Sequence, residues 1–136
     1  MSDKHSIDSR PLSPHIQIYK PQITSVLSIS HRISGVFLSL GLLAVFLFIF
    51  LLALGKDSYD LWISFSNSFL GEVILFGWIF ALSFHMFNGI RHLFWDYDIG
   101  LSLSVSKWTG IIVCFASVTI SIIFGIVILG LSLIHI

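Results

Sequence analysis

Charge is scarce in this chain of 136 residues: only 10% are Asp, Glu, Lys or Arg, and the formal charges cancel to a net +0. A balance of that kind offers no electrostatic footprint to a polyanion, which excludes nucleic acid as a partner. Cysteine occurs once, as Cys114 midway along an apolar run, where it reads as a small apolar filler rather than a redox group or ligand. Proline is limited to Pro11, Pro14 and Pro21, so it disfavours continuous helix only near the N-terminus. Internal repeats, low-complexity tracts and the apolar/polar alternation of barrel strands are missing too. What remains in abundance is hydrophobicity: 56% hydrophobic residues, 15% aromatic and a mean hydropathy of +0.98, which is membrane composition.

Three runs carry no formal charge, from Ile33 to Leu54, Val73 to Ile90, and Trp108 to Ile136. Each is long enough for a hydrocarbon layer of ~30 Å, which takes about 20 helical residues. Lipid offers no partner to backbone N–H and C=O groups, so these runs are expected to be helices. The fold class expected is an all-α membrane protein, one integral membrane domain over residues 1–136 that forms part of a hetero-oligomeric helix bundle. Spans are expected at about 31–54, 71–93 and 108–134, with 1–30 forming a surface segment and the start of the first helix.

Six of the seven basic residues, Lys4, Arg10, Lys20, Arg32, Arg91 and Lys107, fall on one side of this topology, and only Lys56 on the other. The positive-inside rule then puts the N-terminus and the 91–107 loop in the cytoplasm or the mitochondrial matrix. The first 22 residues are polar and hold Asp3, Asp8 and the three prolines, unlike a cleavable signal or an acid-poor transit segment. That tilts the expected location to a bacterial inner membrane, with the mitochondrial inner membrane second. Ile16, Ile18 and Tyr19 are apolar enough to dock this segment on a protein surface. In the 55–71 connection, Tyr59 and Trp62 are expected as interfacial anchors, as are Trp95, Tyr97 and Trp108 on the opposite side.

The second run contains SFHMFNGIRHLFWD, residues 83–96, with His85 and His92 seven apart and therefore on nearly one helical face, ~10 Å apart along the axis. Asn88 and Gly89 lie on or near that face, and Gly89 lets another group approach the backbone. With Arg91 and His92 at the end of the span, His85 is ~9 Å deep by helical rise. An ionisable group there normally faces the bundle interior with a partner. Neutral imidazole is a common metal ligand, and haem iron is the metal an apolar helix bundle most readily hosts. The alternative is a histidine that hydrogen-bonds a neighbouring helix; for His92 the alternative is simple solvation.

The first run opens with SVLSISHRISG, residues 25–35. Ser28 and Arg32, four apart, share a face with Ser25, and His31 stands beside them. His31 and Arg32 are expected at the same membrane depth as Arg91 and His92. Snorkelling anchors would account for Arg91 alone. A Ser/His/Arg triplet suits anionic oxygens instead, those of haem propionates or of a quinone under reduction, because Arg offers forked donors and Ser one directed hydrogen bond.

The stretches RPLSPHIQIYKPQITSVLSISHRISG and HMFNGIRHLFWD, in a chain with three spans, resemble the cytochrome b556 membrane-anchor subunits of succinate dehydrogenase, respiratory complex II. The resemblance covers most of the chain. It implies that His85 is an axial ligand of haem b, with the second axial His supplied by a similar anchor subunit. It implies that Ser28 and Arg32 border the ubiquinone site and that His31 lies near the propionates or the quinone; Arg91 and His92, or His31, are expected to neutralise propionates. The implied partners are that second anchor, an iron–sulfur subunit and a flavoprotein subunit, so this subunit is not catalytic by itself. The family often carries Thr where this chain has Ser34, which keeps the hydroxyl. The alternatives are an anchor of a related quinone-reactive complex such as fumarate reductase, or a structural anchor without redox function.

Overall fold

A computed structural model describes the backbone of residues 21–134 and the side chains as far as Ile128. The expected docking residues Ile16, Ile18 and Tyr19, the basic residues Lys4, Arg10 and Lys20, and His135 lie outside the described residues. Four helices follow one another: α1 (Ile23–Ala53), α2 (Lys56–Ser66), α3 (Phe69–Asp96) and α4 (Leu103–Ile134), with no strand among the described residues. α1, α3 and α4 are long and apolar enough to cross a membrane, and at 1.5 Å per residue they measure about 46, 42 and 48 Å. A hydrocarbon layer takes ~30 Å of that, so each long helix continues for turns into the interfacial zone. α1 accordingly starts at Ile23, directly after Pro21 and the extended Gln22.

The 55–71 connection is not a loop but holds the eleven-residue α2. Gly55 separates α1 from α2 with φ 111°, a conformation that a side chain would strain. Lys56 pairs with Asp60 one turn on, at the exposed surface. Tyr59 and Trp62 pack on Phe48 of α1, with ring centroids 6.3 and 5.8 Å away. The chain then turns into α3 at Ser68, whose hydroxyl accepts from the backbone N–H of Gly71 at 3.2 Å, an N-cap bond.

α3 packs against both α1 and α4. Leu27, Phe84 and Val113, one from each long helix, make the buried apolar core, against which Phe87 and Cys114 also pack. Close approach depends on small residues. A Cβ at Gly41 would overlap the indole of Trp78, and one at Gly110 would overlap Leu27. On α4, Ser117 and Ser121 are buried, 0% and 1% exposed. Their hydroxyls donate to the carbonyls of Val113 and Ser117 at 2.7 and 2.6 Å, so this face enters the interface with its donors already satisfied.

Candidate functional site

The histidines of α3 face α1. His85 Nδ1 lies 3.1 Å from Ser34 Oγ and 3.2 Å from the carbonyl oxygen of His31. The Ser34 hydroxyl donates its own proton to that same carbonyl at 2.7 Å. A carbonyl can only accept, and a hydroxyl whose proton is engaged also accepts, so His85 Nδ1 is the donor to both. The neutral ring then carries its lone pair on Nε2, the arrangement of a ligating histidine held by its other nitrogen. Gly35 gives the ring its room: a Cβ there would come within 3.1 Å of His85 Cε1.

His31 lies between the two histidines of α3 rather than against His92 alone. Its ring stacks on that of His85, with centroids 3.9 Å apart and planes 10° from parallel. His92 lies 5.4 Å from His31 and meets Trp95 edge to face at 4.9 Å. His31 thus bridges the deeper and the shallower histidine of α3. α1 begins at Ile23, ten residues before its charge-free run opens at Ile33. The Nδ1 atom of His31 is buried and has no hydrogen-bond partner among the described residues. An orphaned polar atom stacked beside a ring whose Nε2 keeps its lone pair fits a site that receives a polar, metal-bearing group.

Arg91 is placed differently from the expectation that paired it with His92 towards anionic oxygens. It is 5% exposed and turned to α4. Its Nε donates to Thr109 Oγ1 at 3.1 Å, Nη1 to Asn88 Oδ1 at 3.2 Å, and Nη2 to the backbone oxygen and hydroxyl of Ser106 at 2.8 and 2.9 Å. The guanidinium carbon also lies 4.1 Å from the centre of the Trp95 ring. The reason is rotational: successive residues differ by 100° around a helix, so Arg91 and His92 address different neighbours. All three guanidinium nitrogens are engaged within the chain, which makes Arg91 the bolt between α3 and α4.

By the same 100° step, Ser28 lies about 60° and Arg32 about 100° round α1 from His31. Arg32 is exposed and Ser28 half-buried. Two apolar grooves, of ≈330 and ≈420 Å³, lie elsewhere, among residues such as Phe76 and Ile79 for the first and Phe48, Trp62 and Trp78 for the second; none of the candidate site residues lines either. Sequence reasoning missed Ser34 as a contact of His85, although Ser34 is three residues from His31 and so shares its face. It also missed Ser106 and Thr109, whose signal was the same three-residue spacing.

Comparison with known proteins bears on this arrangement. A family model described as succinate dehydrogenase/fumarate reductase transmembrane subunit matches residues 6–124. A succinate dehydrogenase cytochrome b560 subunit of Marchantia polymorpha is 43% identical over 115 residues, covering 80% of this chain and 83% of the relative. A succinate dehydrogenase cytochrome b556 subunit of Rickettsia bellii is 41% identical over 118 residues, covering 85% and 90%. A mitochondrial succinate dehydrogenase cytochrome b560 subunit of Bos taurus is 37% identical over 124 residues, covering 88% and 72%. With all three membrane helices inside or overlapping the matched region, this multi-pass membrane protein belongs to the succinate dehydrogenase/fumarate reductase transmembrane subunit family.

Proposed function

We propose that the chain is the cytochrome b membrane anchor of a succinate dehydrogenase, holding haem b through His85 and helping to bind ubiquinone. The observation that carries this reading is the state of the His85 ring, whose Nδ1 is bound by two acceptors of α1 while Nε2 keeps its lone pair. The printed names of the relatives, cytochrome subunits of succinate dehydrogenase, support that enzyme over fumarate reductase. When bound, haem supplies a one-electron centre beside the quinone site. A second histidine to hold the haem would come from another anchor subunit, and the iron–sulfur and flavoprotein subunits would dock on the side bearing Arg32 and Lys107. That side faces the cytoplasm or the mitochondrial matrix, as the distribution of basic residues supports.

The chain's own residues divide the work. His31 and His92 stand nearer the interface than His85 and are suited to meet propionate oxygens. Arg32 and Ser28, on the open side of α1, are suited to a quinone head group: Arg32 favours negative charge developing on a carbonyl oxygen, and Ser28 donates one hydrogen bond. Arg91 contributes by fixing α3 on α4 rather than by touching either group. The test is a reduced-minus-oxidised spectrum of the assembled complex with haem and quinone analysis. A complex that assembles with this subunit and contains no haem b refutes the reading.

A further inference from the structure

The hydrogen bonds around Ser34 run in one direction. Its proton goes to the His31 carbonyl at 2.7 Å, which leaves its oxygen lone pairs to accept from His85 Nδ1 at 3.1 Å. A serine that merely satisfied its own hydroxyl on a carbonyl three residues back would need no second contact. Here the hydroxyl is 7% exposed and lies against the one imidazole whose tautomer matters. Both acceptors for Nδ1 belong to α1, while the ring belongs to α3. The orientation of the ring is therefore read by a different helix from the one that carries it.

We infer that Ser34 is a positioning residue for His85: it holds the ring plane and strengthens Nε2 as an electron-pair donor. The inference rests on the reading of His85 as the haem ligand. Its physical basis is that an acceptor on the remote nitrogen of a ligating imidazole raises the basicity of the ligating one. A more basic axial ligand favours the higher oxidation state of the metal, so loss of the Ser34 acceptor raises the midpoint potential. The His31 carbonyl remains as the second acceptor at 3.2 Å, which keeps the tautomer but frees the ring to turn. Burial at Ser34 leaves little room for water to replace the missing oxygen.

The experiment uses the complete complex with Ser34→Ala, Ser34→Thr and Ser34→Cys, read by redox titration of the haem absorption, by low-spin electron paramagnetic resonance and by haem content per complex. Ser34→Ala is expected to raise the midpoint potential and to broaden or shift the low-spin signal, and Ser34→Thr to retain both at their original values. Ser34→Cys keeps the volume but is a weak acceptor, and shifts in the direction of Ala; it carries the comparison if the Ala complex does not assemble. Haem lost from an assembled Ala complex but kept by Thr also supports positioning. Potentials and signals unchanged in both Ala and Cys, or shifted as far by Thr as by Ala, overturn it. His85→Leu in parallel separates the two levels: a spectrum unaltered by that change removes the ligand assignment itself, not only the part played by Ser34.

Discussion

The imidazole of His31 lies flat on that of His85, with centroids 3.9 Å apart and planes within 10° of parallel. One residue comes from the first turns of α1 and the other from the C-terminal half of α3, so this contact joins the two helices at the candidate haem site. It also covers one face of the His85 ring, and the hydrogen bonds to Nδ1 hold its edge.

His85 is therefore expected to govern the haem spectrum. In the assembled complex, His85→Leu removes or displaces the haem b α-band and alters the low-spin resonance signal. An α-band and signal matching those of the unsubstituted complex, at full haem content, count against ligation by His85.

Arg32 is exposed on the open side of α1. Arg32→Leu is expected to slow electron delivery to ubiquinone by a factor of about 10 or more, the loss of one charge-assisted hydrogen bond of about 1.5–3 kcal/mol. Succinate oxidation by a soluble artificial acceptor should stay near its original rate. Equal loss in the two assays points to failed assembly and not to a quinone contact.

Arg91 tests the α3–α4 interface. Arg91→Ala removes four hydrogen bonds to Asn88, Ser106 and Thr109. The lost charge-assisted bonds, offset by the desolvation of a buried cation, leave a destabilisation of about 2–3 kcal/mol. Arg91→Lys recovers less than half of it, since an ammonium cannot reproduce the fork. The measurement is the unfolding midpoint in detergent; a Lys variant as stable as the original would show that charge alone matters at this position.

Gly41 probes the other end of the α1–α3 contact. A Cβ there overlaps Trp78, so Gly41→Ala is expected to lower stability by about 1–3 kcal/mol. Adding Trp78→Leu should relieve the overlap and return part of the loss. Strictly additive losses in the double variant would mean that the two side chains do not compete for the same space.

The membrane helices were legible because their charge-free runs are long and continuous. Their ends were not, since hydropathy reports the hydrocarbon layer while a helix goes on wherever its backbone can bond to itself. α2 escaped notice because its support is tertiary, with Tyr59 and Trp62 resting on Phe48. At the site, His85 stood out as an ionisable group in an apolar run. Ser34 did not, because its partner lies 51 residues away and only packing brings them together. Arg91 was read as facing an anion because spacing gives the angle of a side chain around its helix but not which neighbour occupies that direction.

One more consequence follows from the bolt between α3 and α4. The guanidinium that fastens these two helices also belongs to one of the six basic residues that fall on one side of the expected topology, where the positive-inside rule uses them to set orientation. Topogenic charge and tertiary fastening thus reside in one side chain, so a hairpin of α3 and α4 inserted the right way round is already the hairpin that can close. Lysine at this position would preserve the address while losing the lock, and an inserted but unlatched hairpin would be the product.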